Sequence, residues 1–335
     1  NWMAAHEPRL NHENFTDAII DLKPIIDQDA SDSAALDATI ELLVRSNRSL
    51  PMAKIITIPE AWAHRRDFPK KLKDLYAYAN AVMEPWDGPA AICGAHNQWA
   101  IAGMDRNGLR PLRYTLTKNF LIAGSETGMV DLDEKDIIEK GRVGPGQLIA
   151  VNFNENKFYP DKEIKKFLSS TKPFGNWTKK ITHIDKLVES ADEEFRDIDP
   201  SDLRKRMTSF GWSVEDMELI LHPMIVDKKE ATGSMGDDAP LAVLSENYKG
   251  LHHFFRQNFS QVTNPPIDSL RERLVMSLRT KIGNLSNILD EDEYQCNHLQ
   301  LSSPVLSINQ FKTMRQYMKN TVKIIDTTMD LNESN

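Results

Sequence analysis

Few positions in this chain combine residue types and spacing that chemistry requires. Ser31-Asp32-Ser33 stands directly before a helical repeat. Hydroxyl and acidic side chains gather at helix starts to satisfy free N–H groups. The same Asp32 carboxylate, pointed outward, would grip a substrate ammonium group, and the residues alone leave both readings open. Cys93 lies in a small-residue strand with no base nearby and is expected to be a buried structural thiol. Cys296, close to His298, offers little more, because near neighbours in sequence rarely make a working dyad. Gly233-Ser234-Met235-Gly236-Asp237-Asp238 lacks the lysine of a phosphate loop and the alternating ligands of a calcium loop. A tight loop lining an internal passage fits it at least as well. Thr263-Asn264-Pro265-Pro266 fixes an extended backbone that exposes a hydroxyl and an amide, or simply connects two helices. His252 and His253, adjacent on a predicted helix, cannot face one site and are expected to serve packing.

The elements that would position these groups change character along the chain. Leu36, Ile40, Leu43 and Val44 recur at helical spacing behind Ser31, with Asn47 as a stop and Pro51 opening the next element. A second helix is predicted from about Lys70 to Met83, with Leu72, Leu75, Tyr76, Ala79 and Val82 on one face. From Pro89 short apolar runs bounded by turn residues predict strands near 89–94, 98–104, 112–117, 120–124 and 147–152. Asp105-Arg106-Asn107-Gly108 reads as a hairpin turn, with Arg110 the residue expected to lock loops together. Helices followed by a meander predict an α+β layered fold. Residues 153–180 read as an edge hairpin and a domain connection, and Lys162–Lys180 as a solvated linker. Beyond it helices are predicted from Pro200, Ser213, Ala242 and Asp268.

Composition limits the function classes. A net charge of −8 argues against a general nucleic-acid binder, because neutralising phosphates needs surplus lysine and arginine. Two distant cysteines make no disulfide scaffold and no zinc or iron–sulfur cluster, and they fit a reducing, cytoplasmic setting. No run of apolar residues is long enough to span a membrane, and no signal peptide is visible.

Longer motifs carry a resemblance that these single residues do not. Ser31-Asp32-Ser33-Ala34, Ile58-Pro59-Glu60-Ala61-Trp62, the Met83–Ala90 and Asp105–Tyr114 stretches, Thr232–Glu246, Gly250–Leu289 and Asp290–Glu293 follow one another in order. Together they resemble the large (alpha) subunit of glutamate synthase or its ferredoxin-dependent single-chain relative, from Asn1 to about Leu306. The resemblance implies the C-terminal part of a class II glutamine amidotransferase domain of N-terminal-nucleophile (αββα) fold over 1–180. The N-terminal part of an α/β central domain would fill 181–335.

The family hydrolyses L-glutamine and passes ammonia through a tunnel to 2-oxoglutarate. It then reduces 2-iminoglutarate at FMN with electrons from an NAD(P)H-oxidising small subunit or ferredoxin. By the resemblance, the nucleophilic cysteine lies upstream of this chain, and FMN and a 3Fe-4S cluster are bound outside it. Asp32 would hold the glutamine α-amino group, and Met235, Thr263 and Asn264 would line the tunnel. The chain then reads as an internal piece of a cytoplasmic or plastid enzyme. In isolation it would be an inert scaffold and ammonia conduit.

Overall fold

A computed structural model describes residues 2–27, 29–188, 199–228, 242–246, 250, 277–283, 286–323 and 325. Contacts divide the chain into two units, Asn1–Ala191 with Leu274–Asn335, and Asp192–Arg273.

In the first unit a short helix, α1 (Trp2–His6), precedes the first long one, α2 (Asp32–Arg45). The Ser31 hydroxyl starts α2 by accepting the Ala34 N–H at 3.2 Å. Leu36, Ile40, Leu43 and Val44 turn inward as their spacing predicts. At its end Asn47 takes a left-handed φ of 70°, and the Arg48 N–H closes onto the Leu43 carbonyl at 3.2 Å. This is the stop expected at Asn47, in Schellman form. Pro51 sits in the first turn of α3 (Leu50–Thr57), where its missing N–H costs nothing. The third long helix, α4 (Lys70–Val82), buries Leu72, Leu75, Tyr76, Ala79 and Val82.

Beneath these helices lies an antiparallel sheet of β1 (Ala91–His96), β2 (Trp99–Met104), β6 (Leu148–Asn152) and β7 (Lys157–Tyr159), in that spatial order. A second sheet has β3 (Arg113–Thr117) at its centre, flanked by β4 (Leu121–Gly124) and β5 (Ile137–Arg142). Side-chain alternation along β2 and β6 dictates the layering. Trp99, Ile101, Leu148 and Ala150 join the helical core. Ala102, Met104 and Ile149 face the other way and pack with Tyr114 and Leu121 of the second sheet and with Leu112 and Val143, which flank its strands. The result is helix on sheet on sheet, the α+β layering that the pattern predicts.

Three expectations change. Asp105–Gly108 closes no hairpin: β2 and β3 belong to different sheets, and the turn carries the chain from one to the other. β5 was not anticipated, because Ile-Ile-Glu-Lys-Gly-Arg has no alternation and lies at a largely exposed edge. Residues 162–180 are not a solvated linker. There α5 (Asp161–Leu168) buries Ile164, Lys165 and Leu168, and α6 (Phe174–Trp177) buries Phe174 between Tyr78 and Trp177.

A small third sheet follows. It joins β8 (Thr182–His183), just before α7 (Ile184–Leu187), to β10 (Leu299–Leu301) in parallel, with β9 (Thr280–Ile282) antiparallel on the other side. Ile184, Leu299 and Leu301 form its core. Met314 of α10 (Ile308–Tyr317) packs on that core, and Ser307 and Gln310 form a capping box at the start of the helix.

The second unit contains α8 (Pro200–Ser209), ended at Gly211 with a φ of 72°, and α9 (His222–Asp227). The helix predicted from Ser213 is present but passes through a π-helical stretch at Asp216–Leu221, which periodicity does not reveal. Ala242–Leu244 forms one 3-10 turn. The predicted continuation of that helix, the His252-His253 pair, Met235, Thr263 and Asn264 lie outside the described residues. Among the described residues no helix is long and apolar enough to cross a membrane.

Candidate functional site

Asp32 occupies the first turn of α2 and is exposed. Capping falls to Ser31, whose hydroxyl also meets that of Ser33 at 3.1 Å. The Asp32 carboxylate is therefore not consumed by its own helix, and no described residue bonds to it. The segment leading into α2 is held from below, where the Glu7 carboxylate accepts the Ile25 and Ile26 N–H groups at 2.7 and 3.2 Å. The end of the helix carries a positive partial charge that favours an anion there. The arrangement presents a solvent-facing carboxylate on a helix end, chemistry that an ammonium group could meet.

Elsewhere in the same unit lies a buried ion cluster that residue types alone did not reveal. The Lys165 ammonium meets Glu60 Oε2 at 2.6 Å and Asp161 Oδ1 at 2.7 Å. Asp161 also accepts the Leu148 N–H at 2.9 Å, and Tyr76 donates to Glu60 at 3.4 Å. Burial, with Glu60 beside it, pushes the Tyr76 phenol well up and keeps it a neutral donor. Lys54, fully buried on α3, donates to the Ile58 carbonyl at 3.2 Å. Burial, aided by Lys165, lowers the Lys54 ammonium to about 7, against the pull of Asp161, Glu60 and Asp105. The cluster fastens the Ile58–Trp62 motif to α5 and to the start of β6. Gly146, with a φ of 68°, fits against it because a Cβ there would lie 2.5 Å from Glu60 Cγ. Gly146→Ala is accordingly expected to lower stability by about 1–3 kcal/mol, read from the shift of a urea unfolding midpoint.

Lys54 also gives the fold a pH signature. Between about 7 and its ordinary 10.5 the unfolded chain holds a proton on Lys54 that the folded chain does not. Stability therefore rises with pH across that window and is lost as pH falls back through it. Wild type is expected to gain on the order of 1 kcal/mol per pH unit relative to Lys54→Met between pH 7.5 and 10, measured by paired urea titrations. Parallel curves for the two proteins would show that Lys54 is not the titrating group.

The other long motifs are braces. Glu84 accepts from His6 Nε2 at 3.1 Å and from Lys281 at 3.0 Å. Burial alone would raise the Glu84 carboxyl, but His6 and Lys281 hold it at about 2. Asp105 is buried, and its Oδ2 accepts the Asn107 and Gly108 N–H groups at 2.9 and 3.2 Å, closing the turn between the sheets. Arg106, rather than the exposed Arg110, does the loop locking, reaching Asp87 at 3.5 Å and the Trp86 carbonyl at 3.4 Å.

Neither cysteine is a nucleophile candidate. Cys296 is fully buried, and burial pushes its thiol up to about 12. Cys93 is exposed, contrary to expectation, because no described residue of the second core cluster covers its face of β1. An open cleft of about 490 Å³ lies at the other end of α2, bordered by Asn47, His96, Gln98, Trp99 and Asn154. It does not include Asp32. Among the described residues no group of three His, Cys, Asp or Glu could hold a metal ion.

A layered helix–sheet–sheet unit with a free carboxylate at the α2 N-terminus is accompanied by a direct family match. The class-II glutamine amidotransferases match residues 1–177, and the chain belongs to that family. The glutamate synthase central domain matches residues 205–334, so an amidotransferase domain is followed by a central domain. The chain is 55% identical over 331 residues to the NADPH glutamate synthase large chain of Azospirillum brasilense, covering 98% of this chain and 22% of that protein. It is 41% identical over 330 residues to the ferredoxin-dependent glutamate synthase of Pyropia yezoensis, covering 97% and 21%. It is 39% identical over 325 residues to the NADH glutamate synthase of Schizosaccharomyces pombe, covering 94% and 15%. The chain thus spans about a fifth or less of the length of these relatives.

Proposed function

We propose that this chain works within a glutamate synthase, in which L-glutamine, 2-oxoglutarate and two electrons give two L-glutamate. The observation that carries this reading is the ordered match to an amidotransferase domain and a glutamate synthase central domain over almost the whole chain. Asp32 holds the glutamine α-ammonium, which its exposed and unconsumed carboxylate supports. The nucleophile comes from another part of the protein. In support, Ala91, Cys93 and Ala95 stand exposed on the face of β1 that continues the Ala102–Met104 face of β2, leaving room for further strands. The amidotransferase domain ends near residue 180 and the central domain follows. Met235, Thr263 and Asn264 line the ammonia path between the two active sites.

FMN and a 3Fe-4S cluster would be held by other parts of the protein. The two cysteines here, one buried and one exposed, do not fit a cluster that needs several converging thiolates. No step is therefore assigned to either group within this chain. The electron partner is an NAD(P)H-oxidising subunit or ferredoxin, and the compartment is the cytoplasm or a plastid.

The test is a stoichiometric assay of the full-length protein containing this chain. With glutamine, 2-oxoglutarate and a reductant, two glutamates should form for each glutamine consumed. Glutamine consumption that ignores 2-oxoglutarate and yields a single glutamate would contradict the reading and point to an amidotransferase serving another acceptor.

A further inference from the structure

Arg48 follows the α2 stop immediately and is buried, which is costly for a guanidinium without compensating partners. Its Nη2 donates to the Ile288 carbonyl at 2.8 Å and the Asp290 carbonyl at 2.7 Å, and Nη1 lies 3.8 Å from Glu291. These acceptors are some 240 residues away, inside the stretch matched by the central domain. That loop is itself tightly built. Asn287 donates to the Asn11 carbonyl at 2.6 Å, and Gln295 donates to the carbonyls of Asn287 and Asp290 at 2.6 and 3.1 Å. Ile288 and Leu289 are buried in the same core as α2. The Arg48 clamp therefore grips one end of a rod whose other end bears Asp32.

Fourteen residues at 1.5 Å each make α2 roughly 21 Å long. Its C-terminal end cannot slip relative to Arg48, because the Arg48 N–H is part of the Schellman closure on Leu43. A tilt of about 3° at the clamp would move the N-terminal end by about 1 Å over a rod of that length. Displacements of that size at a binding group are enough to matter for a positioned substrate.

We infer that Arg48 is a positioning residue for glutamine binding, through which the 287–291 loop of the central-domain stretch sets where Asp32 stands. The inference rests on the assignment of Asp32 to the glutamine α-ammonium. It implies that whatever moves the 287–291 loop alters glutamine affinity before it alters the rate of amide cleavage.

The test uses the full-length protein with Arg48→Met, Arg48→Lys and Asp32→Ala measured side by side for glutamine KM and kcat. Ammonia-supported glutamate formation serves as the control for assembly. Arg48→Met is expected to raise the glutamine KM about tenfold with a smaller change in kcat, and Arg48→Lys, which keeps one donor for the carbonyls, by less. A residue that merely held the fold together would lower the amount of active enzyme in both reactions and leave the glutamine KM unchanged. If Arg48→Met does not fold, Arg48→Lys decides: a severalfold rise in KM supports the inference and an unchanged KM overturns it. An unchanged KM in folded Arg48→Met while Asp32→Ala loses glutamine use overturns the inference alone. Unimpaired glutamine use by Asp32→Ala overturns the Asp32 assignment and this inference with it.

Discussion

Asp32→Ala is expected to lower kcat/KM for glutamine by about a hundredfold to a thousandfold in the full-length protein. A carboxylate facing a substrate ammonium is a charge-assisted pair, and where bound glutamine takes that pair out of water, truncating one partner costs about 3–4 kcal/mol. The helix itself should survive the change, because Ser31 and not Asp32 caps it. Asp32→Asn should fall between the two, since it keeps an oxygen acceptor of the same size without the charge. Ammonia-supported glutamate formation bypasses the glutamine pocket and is the reference rate. A glutamine kcat/KM within threefold of wild type in Asp32→Ala would return Asp32 to an ordinary helix-terminus residue.

Lys165→Met is expected to be a strongly destabilising substitution, by about 3–5 kcal/mol. It would strand Glu60 and Asp161, largely buried carboxylates that Lys165 meets at 2.6 and 2.7 Å. Such a loss is a large share of the 5–15 kcal/mol that holds a typical domain together. The change also has a side effect that identifies its cause. Lys165 is one of the groups holding the Lys54 ammonium down, so its removal should shift the Lys54-dependent rise in stability to higher pH. Urea midpoints measured across pH for wild type, Lys165→Met and the double variant with Lys54→Met would show both effects. A loss below about 1 kcal/mol would mean that the cluster is solvated in solution and behaves as a surface pair.

What was legible in the sequence follows from where each constraint originates. Helix α2 was legible because its cap, its inward residues and its stop all lie within a short stretch around Ser31, Leu36, Leu43 and Asn47. β2 and β6 of the first sheet were legible because both their faces are buried. β5, whose charges face water, carried no such pattern. The ion cluster was hidden for a different reason. A lysine looks solvated until a partner 105 residues away is known to meet it, as Glu60 meets Lys165. Lys54 alone left a trace, a charge inside the apolar Leu50–Ile58 run. Arg48 left none, since its acceptors are backbone carbonyls that any residue type would supply. The role proposed for Asp32 came through resemblance, because cap chemistry accounts for Ser-Asp-Ser equally well.

The central claim is that this chain joins a glutamine-hydrolysing site to a second site that uses the released ammonia. Glutamine labelled with ¹⁵N at its amide, supplied to the full-length protein with 2-oxoglutarate, a reductant and excess unlabelled ammonium, tests it most directly. The account predicts that the α-amino group of the glutamate made from 2-oxoglutarate carries the amide label almost undiluted. Label diluted to the level of the bulk ammonium would contradict it.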